Sequence, residues 1–213
     1  METTAHFDSG CCACSRLSEF LRQVKEEYPA YHARPVAPFG DPRPRLLIVG
    51  LAPGMHGANA TGRPFTGDFA GILLYQTLYR FGFSNRPVST AREDGLVLNG
   101  CRITNAVKCL PPQNRPLGSE IRECNRYLQA ELMGLDDGAV ILALGGVAHR
   151  AVIRALGLKQ GEHPFGHARK YALSEGRWLV DSYHCSRYNT QTRRLTEGMF
   201  HDLFREITRL LDG

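Results

Sequence analysis

RLLIVGLAPGMHGANATGRPFTGDFAGILLYQTLYRFG, residues 45–82, opens with an apolar run that lacks alternation. It then crosses a loop, residues 50–68, with five glycines and two prolines, and continues at helical spacing. An unalternating apolar run predicts a strand covered on both faces. Strand, rigid glycine-rich turn and helix together bring the backbone close to a ligand. A phosphate, a nucleotide or an extruded base would each suit such a loop.

Three more stretches read as the same kind of strand: RITNAV (102–107), AVILAL (139–144) and WLVDSY (178–183). Helical patterns lie between and around them. Leu17, Phe20, Leu21, Val24 and Tyr28 share one face, as do Ile121, Cys124, Leu128 and Leu132. GGVAHRAVIRALG follows the third strand, with Gly157 as a C-terminal stop. Phe200, Leu203, Phe204, Ile207, Leu210 and Leu211 form the last apolar face. Strands alternating with helices predict an α/β fold with a largely parallel sheet. Ligands of such sheets sit beyond the carboxyl ends of the strands. The loops after residues 50, 107 and 183 leave from that edge and should converge.

The 213 residues are 43% apolar and 22% charged, an ordinary globular composition. No run approaches the roughly 18 apolar residues of a membrane span, so no membrane association is expected. The N-terminus METTAHFDSGCCACS lacks a basic region followed by an apolar one, which predicts a cytoplasmic protein. A net charge of +5 is compatible with a polyanionic partner. Seven cysteines need an explanation other than disulfides in a reducing compartment. Cys11 and Cys14 form a C-x-x-C pair, and Cys109 and Cys124 a wider one. Four thiolates suit a zinc ion or an iron–sulfur cluster. Unliganded buried thiols are the bland alternative.

The loop at 50–68 has no lysine for a P-loop and no G-x-G-x-x-G. What it offers is a rigid turn at Ala52–Pro53–Gly54, an imidazole (His56), an aromatic ring (Phe65) and a carboxylate (Asp68). That set can hold a planar heterocycle. Structurally, Phe65 suits the core and Asp68 suits the N-cap of the following helix. In ITNAVKCLPPQNRP (103–116), Asn105 falls in a predicted strand, where its amide needs partners. It can match a pyrimidine edge or tie down a neighbouring backbone. DSYHCSRYNTQTRRLT (181–196) brings His184 to the ligand edge, followed by Ser186, Arg187 and Asn189. Hydroxyls, amides and arginines together suit phosphate contacts.

The three loops, with the spacing of Cys11, Cys14, Cys109 and Cys124, resemble the family-5, B-type branch of the uracil-DNA glycosylases. The likeness runs from Cys11 to about Thr196, with the motifs in order. It implies one domain over residues 1–213: a three-layer α/β/α sandwich around a central four-stranded parallel sheet, with an N-terminal iron–sulfur segment. It implies a structural 4Fe-4S cluster on the four cysteines. It also implies a monomer that excises uracil, and other deaminated bases such as hypoxanthine, from double-stranded DNA. On that reading His184 donates to a base carbonyl, Phe65 stacks on the extruded ring and Asn105 reads its edge. Gly50, Ala52, Pro53, Gly54 and His56 would line the pocket. Ser186, Arg187 and Asn189 would grip phosphates, and Tyr188 would fill the gap in the duplex. The last motif reads His184–Cys185–Ser186 where the superfamily often has His-Pro-Ser, which loosens that turn. Ala52 cannot direct a water molecule, so that role falls to Asp68. A non-catalytic cluster-bearing DNA- or nucleotide-binding module is the alternative from another class.

Overall fold

The computed structural model describes residues 6–213. The four apolar stretches form the centre of one sheet: β2 (Leu46–Gly50), β3 (Cys101–Asn105), β4 (Val140–Leu144) and β6 (Trp178–Ser182). They lie parallel in the order β3-β2-β4-β6. Leu46 stands opposite both Cys101 and Val140, and Val140 opposite Trp178. The sheet has six strands rather than four, because β1 (Phe39–Gly40) and β5 (Lys170–Ala172) add antiparallel edges. Two and three residues cannot build an apolar run, and both exposed ends of β5 face water. Such edges carry almost no sequence signal.

Successive residues of each central strand face opposite layers. Leu46, Ile48, Ile103, Leu142 and Val180 pack against α3 (Phe69–Arg80) and α7 (Glu197–Asp212), where Leu74, Leu78, Phe200, Phe204 and Ile207 complete the layer. Leu47, Val49, Ile141, Ala143 and Leu179 face α4 (Gly118–Met133) and α5 (Gly146–Ala155) through Leu128, Leu132 and Val152. The three-layer sandwich is therefore as expected. The remaining helix of length, α1 (Ser15–Glu27), lays Leu17 beside Val107, Cys124 and Tyr127 at one corner. No helix among the described residues is long and apolar enough to cross a membrane.

Two buried polar groups fix the segments that flank the carboxyl edge. Lys108, in the loop after β3, donates from Nζ to Glu131 Oε1 at 2.6 Å and also to the Thr104 hydroxyl. Asp181, in β6, accepts from His149 at 2.8 Å and from the Gly166 N–H at 3.3 Å, which anchors the segment before β5. Buried charges of this kind are tolerated because they are paired.

α3 also sits hard against the loop that precedes it. A β-carbon on Gly71 would lie 2.0 Å from the Phe65 carbonyl oxygen. Helix propensity alone favours alanine over glycine by about 1 kcal/mol. Gly71→Ala is nonetheless expected to lower stability, because the loop backbone must move. A fall in the thermal or urea unfolding midpoint is the expected result, and a rise would show that the loop yields freely.

Candidate active site

β2, β3 and β6 end at Gly50, Asn105 and Ser182, so their loops leave one edge of the sheet. Between them opens a cavity of about 430 Å³, lined by loop residues that include Ala52, Phe65, Asp68, Asn105 and His184. The convergence expected from the strand ends is present.

Asp68 stands at the N-cap position of α3, yet its side chain makes no capping bond. The carboxylate is turned back across its own loop, where the Ala58 N–H donates to Oδ2 at 3.1 Å. There it fills a notch: a β-carbon on Gly54 or Gly57 would lie 2.1 or 2.0 Å from Oδ1. Forgoing the cap costs about 1 kcal/mol. Burial pushes the pKa of this carboxyl upward, while the N–H groups of Ala58 and Gly54 favour the ionised form. Among the described residues no Lys or Arg lies within ion-pair distance of this half-buried carboxylate, which borders the cavity.

Phe65 adopts a left-handed backbone, φ 59°. For a bulky side chain this conformation is strained by about 1–3 kcal/mol. Its ring lies over Gly50, whose β-carbon would come within 2.8 Å of it, and stacks on His184 at 6.0 Å and 25°. Phe65 therefore belongs both to the core and to the cavity wall. Asn105 closes β3, held there because the backbone ladder continues beyond the strands, from Ala106 N–H to Gly50 O at 2.9 Å. Only 3% exposed, Asn105 has no partner for Oδ1 among the described residues. Leaving such an acceptor unpaired costs about 1–3 kcal/mol. The oxygen lies beside Gly50 at the cavity floor.

Burial pushes the His184 imidazole down to about 4, so the ring is neutral near pH 7 and keeps a single N–H to donate. Its backbone carbonyl accepts from the Asn189 amide at 2.8 Å. Ser186 caps the short helix α6 (Arg187–Gln191), its hydroxyl accepting from the Asn189 N–H at 3.4 Å. Arg187 lies over the Phe69 ring at 4.9 Å on the cavity rim. Tyr188 is 70% exposed.

Several expected site residues stand elsewhere. Gly50 and Pro53 are buried and do not line the cavity. His56 is outside the cavity: it is exposed, and its Nδ1 bonds the Tyr31 hydroxyl at 2.9 Å, with Tyr28 edge-on to the ring. The Asn189 side-chain amide donates one N–H to the His184 carbonyl. Asn114 does line the cavity, from a loop where it and Gln113 both take φ 55°. Its signal was an asparagine amid prolines in PPQNRP, a residue type that tolerates the left-handed region.

At the α1 corner, Cys11, Cys14, Cys109 and Cys124 border one small apolar cleft with Leu17, Val107 and Tyr127. Burial, reinforced by the neighbouring thiols, pushes Cys14 up to about 11 and Cys109 up to about 12. Cys124 is raised as well, and its sulfur accepts from the Lys108 N–H at 3.3 Å. The Arg126 guanidinium lies 3.6 Å from Cys11 Sγ. Among the described residues no three Cys, His, Asp or Glu side chains are gathered closely enough to hold one metal ion. Cys101 and Cys185 are buried in the sheet core, and Cys12 is exposed.

A model of the uracil DNA glycosylase superfamily matches residues 37–209. A type-5 uracil-DNA glycosylase of Thermus thermophilus is 45% identical over 95% of this chain and 94% of its own length. One from Mycobacterium tuberculosis is 44% identical over 95% of this chain and 78% of its own length. One from Pyrobaculum aerophilum is 40% identical over 92% of this chain and 86% of its own length. With the matched region covering both the sheet and the three loops that form the cavity, the chain belongs to the uracil-DNA glycosylase superfamily, in its type-5 branch.

Proposed function

We propose that this protein is a monomeric DNA glycosylase that excises uracil from double-stranded DNA, leaving an abasic site. Other deaminated bases, hypoxanthine among them, fall within its range. The observation that carries this reading is the meeting of Asp68, Asn105, Phe65 and His184 on one cavity. The similar proteins of Thermus thermophilus and Mycobacterium tuberculosis are named type-5 uracil-DNA glycosylases, which agrees with it.

A base must leave the stack before its glycosidic bond can be reached. The extruded ring lies against Phe65. The unpaired Asn105 oxygen accepts from a ring N–H and regains the hydrogen bond it lacks in the free protein. As the C–N bond breaks, negative charge moves onto the base and positive charge onto the sugar. The neutral His184 donates to the base carbonyl where that negative charge collects, with no protonated imidazole to desolvate. Asp68 opposes the sugar's charge and orients the water whose oxygen bonds to the sugar carbon; the water's proton passes to the carboxylate. Ala52 presents only a methyl group to the cavity, and a wall without a discriminating polar group admits more than one base. Ser186 and Arg187 contact the flanking phosphates from the rim, and Tyr188 enters the gap in the duplex.

The four thiols of the α1 corner fit a 4Fe-4S cluster. All four face one cleft; four thiolates can hold either a cluster or a zinc ion, and the likeness to the type-5 branch favours the cluster. The Lys108 N–H and the Arg126 guanidinium offset thiolate charge. The cluster would tie α1 to α4 and to the loop after β3, a structural duty away from the reaction.

Two measurements test this reading. Purified protein should leave alkali-labile sites in a duplex with uracil opposite guanine. Asp68→Asn should cut single-turnover excision by about 10²–10⁴-fold, with DNA affinity changed only a few-fold. Equal loss of both would reduce Asp68 to a structural role. For the cysteine corner, anaerobic preparations should be brown, with broad visible absorbance and matching iron and sulfide, and Cys109→Ser should bleach them. A colourless, zinc-bearing preparation would contradict the cluster.

A further inference from the structure

The loop at 50–68 borders a second cleft, of about 470 Å³, at Gly62. Its walls carry Lys25 from the last turn of α1, His32 and Arg34 from the segment before β1, and Arg92 from the segment before β3. Three separate parts of the chain therefore bring basic groups to one place. The His32 ring rests on Gly62, whose β-carbon would lie 2.9 Å from it. The segment is strapped to α2 (Ala58–Thr61) by bonds from the His32 N–H to Ala60 O at 2.9 Å and from the Ala33 N–H to Asn59 O at 3.0 Å.

These cations have little to neutralise them. Lys25 Nζ donates to the Tyr31 carbonyl, and none of Lys25, Arg34 and Arg92 has a carboxylate within ion-pair distance among the described residues. Two of the nearby acids are engaged elsewhere: Glu26 with Arg22 and Asp94 with Arg63. Glu93, next to Arg92, makes no ion pair among the described residues and is exposed. Burial makes protonation of His32 less favourable, and Arg92, Arg34 and Lys25 add to that effect. An ordinary solvated surface alternates charges of both signs. Lys25, Arg34 and Arg92 place three cations around one concavity whose lining carries no carboxylate, and they repel one another unless an anion enters.

We propose that this cleft seats a backbone phosphate of the DNA strand flanking the extruded nucleotide, a contact separate from the rim groups Ser186 and Arg187. The inference rests on the reading that the protein acts on DNA. A strand bound at the cavity continues past it, and one loop reaches both sites, with Gly54, Phe65 and Asp68 at the cavity and Gly62 at the cleft. Tyr31 lines the cleft and belongs to an aromatic group with Tyr28 and His56, the two tyrosines stacked at 4.6 Å. Basic clefts beside aromatic faces are how proteins follow a nucleic-acid backbone.

The test compares the wild type with Arg34→Ala/Arg92→Ala, both residues being exposed and outside the core. Affinity for a long uracil-containing duplex is measured over a range of salt concentrations, together with single-turnover excision at saturating protein. Each lost phosphate contact lowers the slope of log K against log salt by about 0.9. The expected result is a slope shallower by about 1–2, about tenfold weaker binding in low salt, and an unchanged saturating rate. Shortening the duplex on one side only, so that it no longer reaches the cleft, should abolish the difference between the two proteins. An unchanged slope and affinity on the long duplex would overturn the proposal, as would a loss that survives shortening on either side. Absence of excision by the wild type would instead overturn the glycosylase reading, so the two failures are distinct.

Discussion

The carboxylate of Asp68 occupies space that two β-carbons would need. Gly54 and Gly57 leave that space open, and the loop between β2 and α3 is shaped around it. Turning the side chain inward deprives α3 of a cap. It also forces the chain to double back between residues 57 and 68. Phe65 takes its left-handed turn in that return, with its carbonyl pressed on Gly71. Each glycine in this chain of contacts stands where a backbone or a functional side chain comes too close for anything larger.

The cavity carries several unfavourable features at once. Phe65 is strained, Asn105 Oδ1 is buried with no partner among the described residues, Asp68 gives up its cap, and His184 is desolvated. Each of the first three costs on the order of 1 kcal/mol. The sheet holds them in place, since Asn105 is fixed by the ladder to β2 and His184 follows directly on β6. Groups kept unsatisfied by a rigid frame are ready for a ligand without reorganisation. The same frame keeps His184 neutral, which suits donation to a departing base.

The amino-acid sequence made the four central strands legible because each is an unbroken apolar run, and their carboxyl ends then located the site. The edge strands were not legible, since two or three residues carry no period. Asp68 shows the boundary clearly. Its capping position could be read locally, but the inward turn of its side chain depends on Gly54 and Gly57 packing around it. His56 looked like a pocket residue by its place in the loop, and its actual partner, Tyr31, lies 25 positions away. The four cysteines of the α1 corner could be paired by spacing alone. The basic cleft could not be read at all, because Lys25, His32, Arg34 and Arg92 meet only through tertiary packing.

The central claim is that the glycine notch serves catalysis by holding the Asp68 carboxylate. Its most direct test is a double-mutant cycle between Gly57→Ala and Asp68→Asn, read by single-turnover excision of uracil. Gly57 does not line the cavity, and the three atoms nearest to a β-carbon there all belong to the Asp68 carboxylate, so alanine acts on the substrate chiefly through Asp68. The expected result is a loss of about 10²-fold from Gly57→Ala when Asp68 is present, and no further loss when residue 68 is already asparagine. Multiplicative losses, with Gly57→Ala equally damaging in both backgrounds, would contradict it.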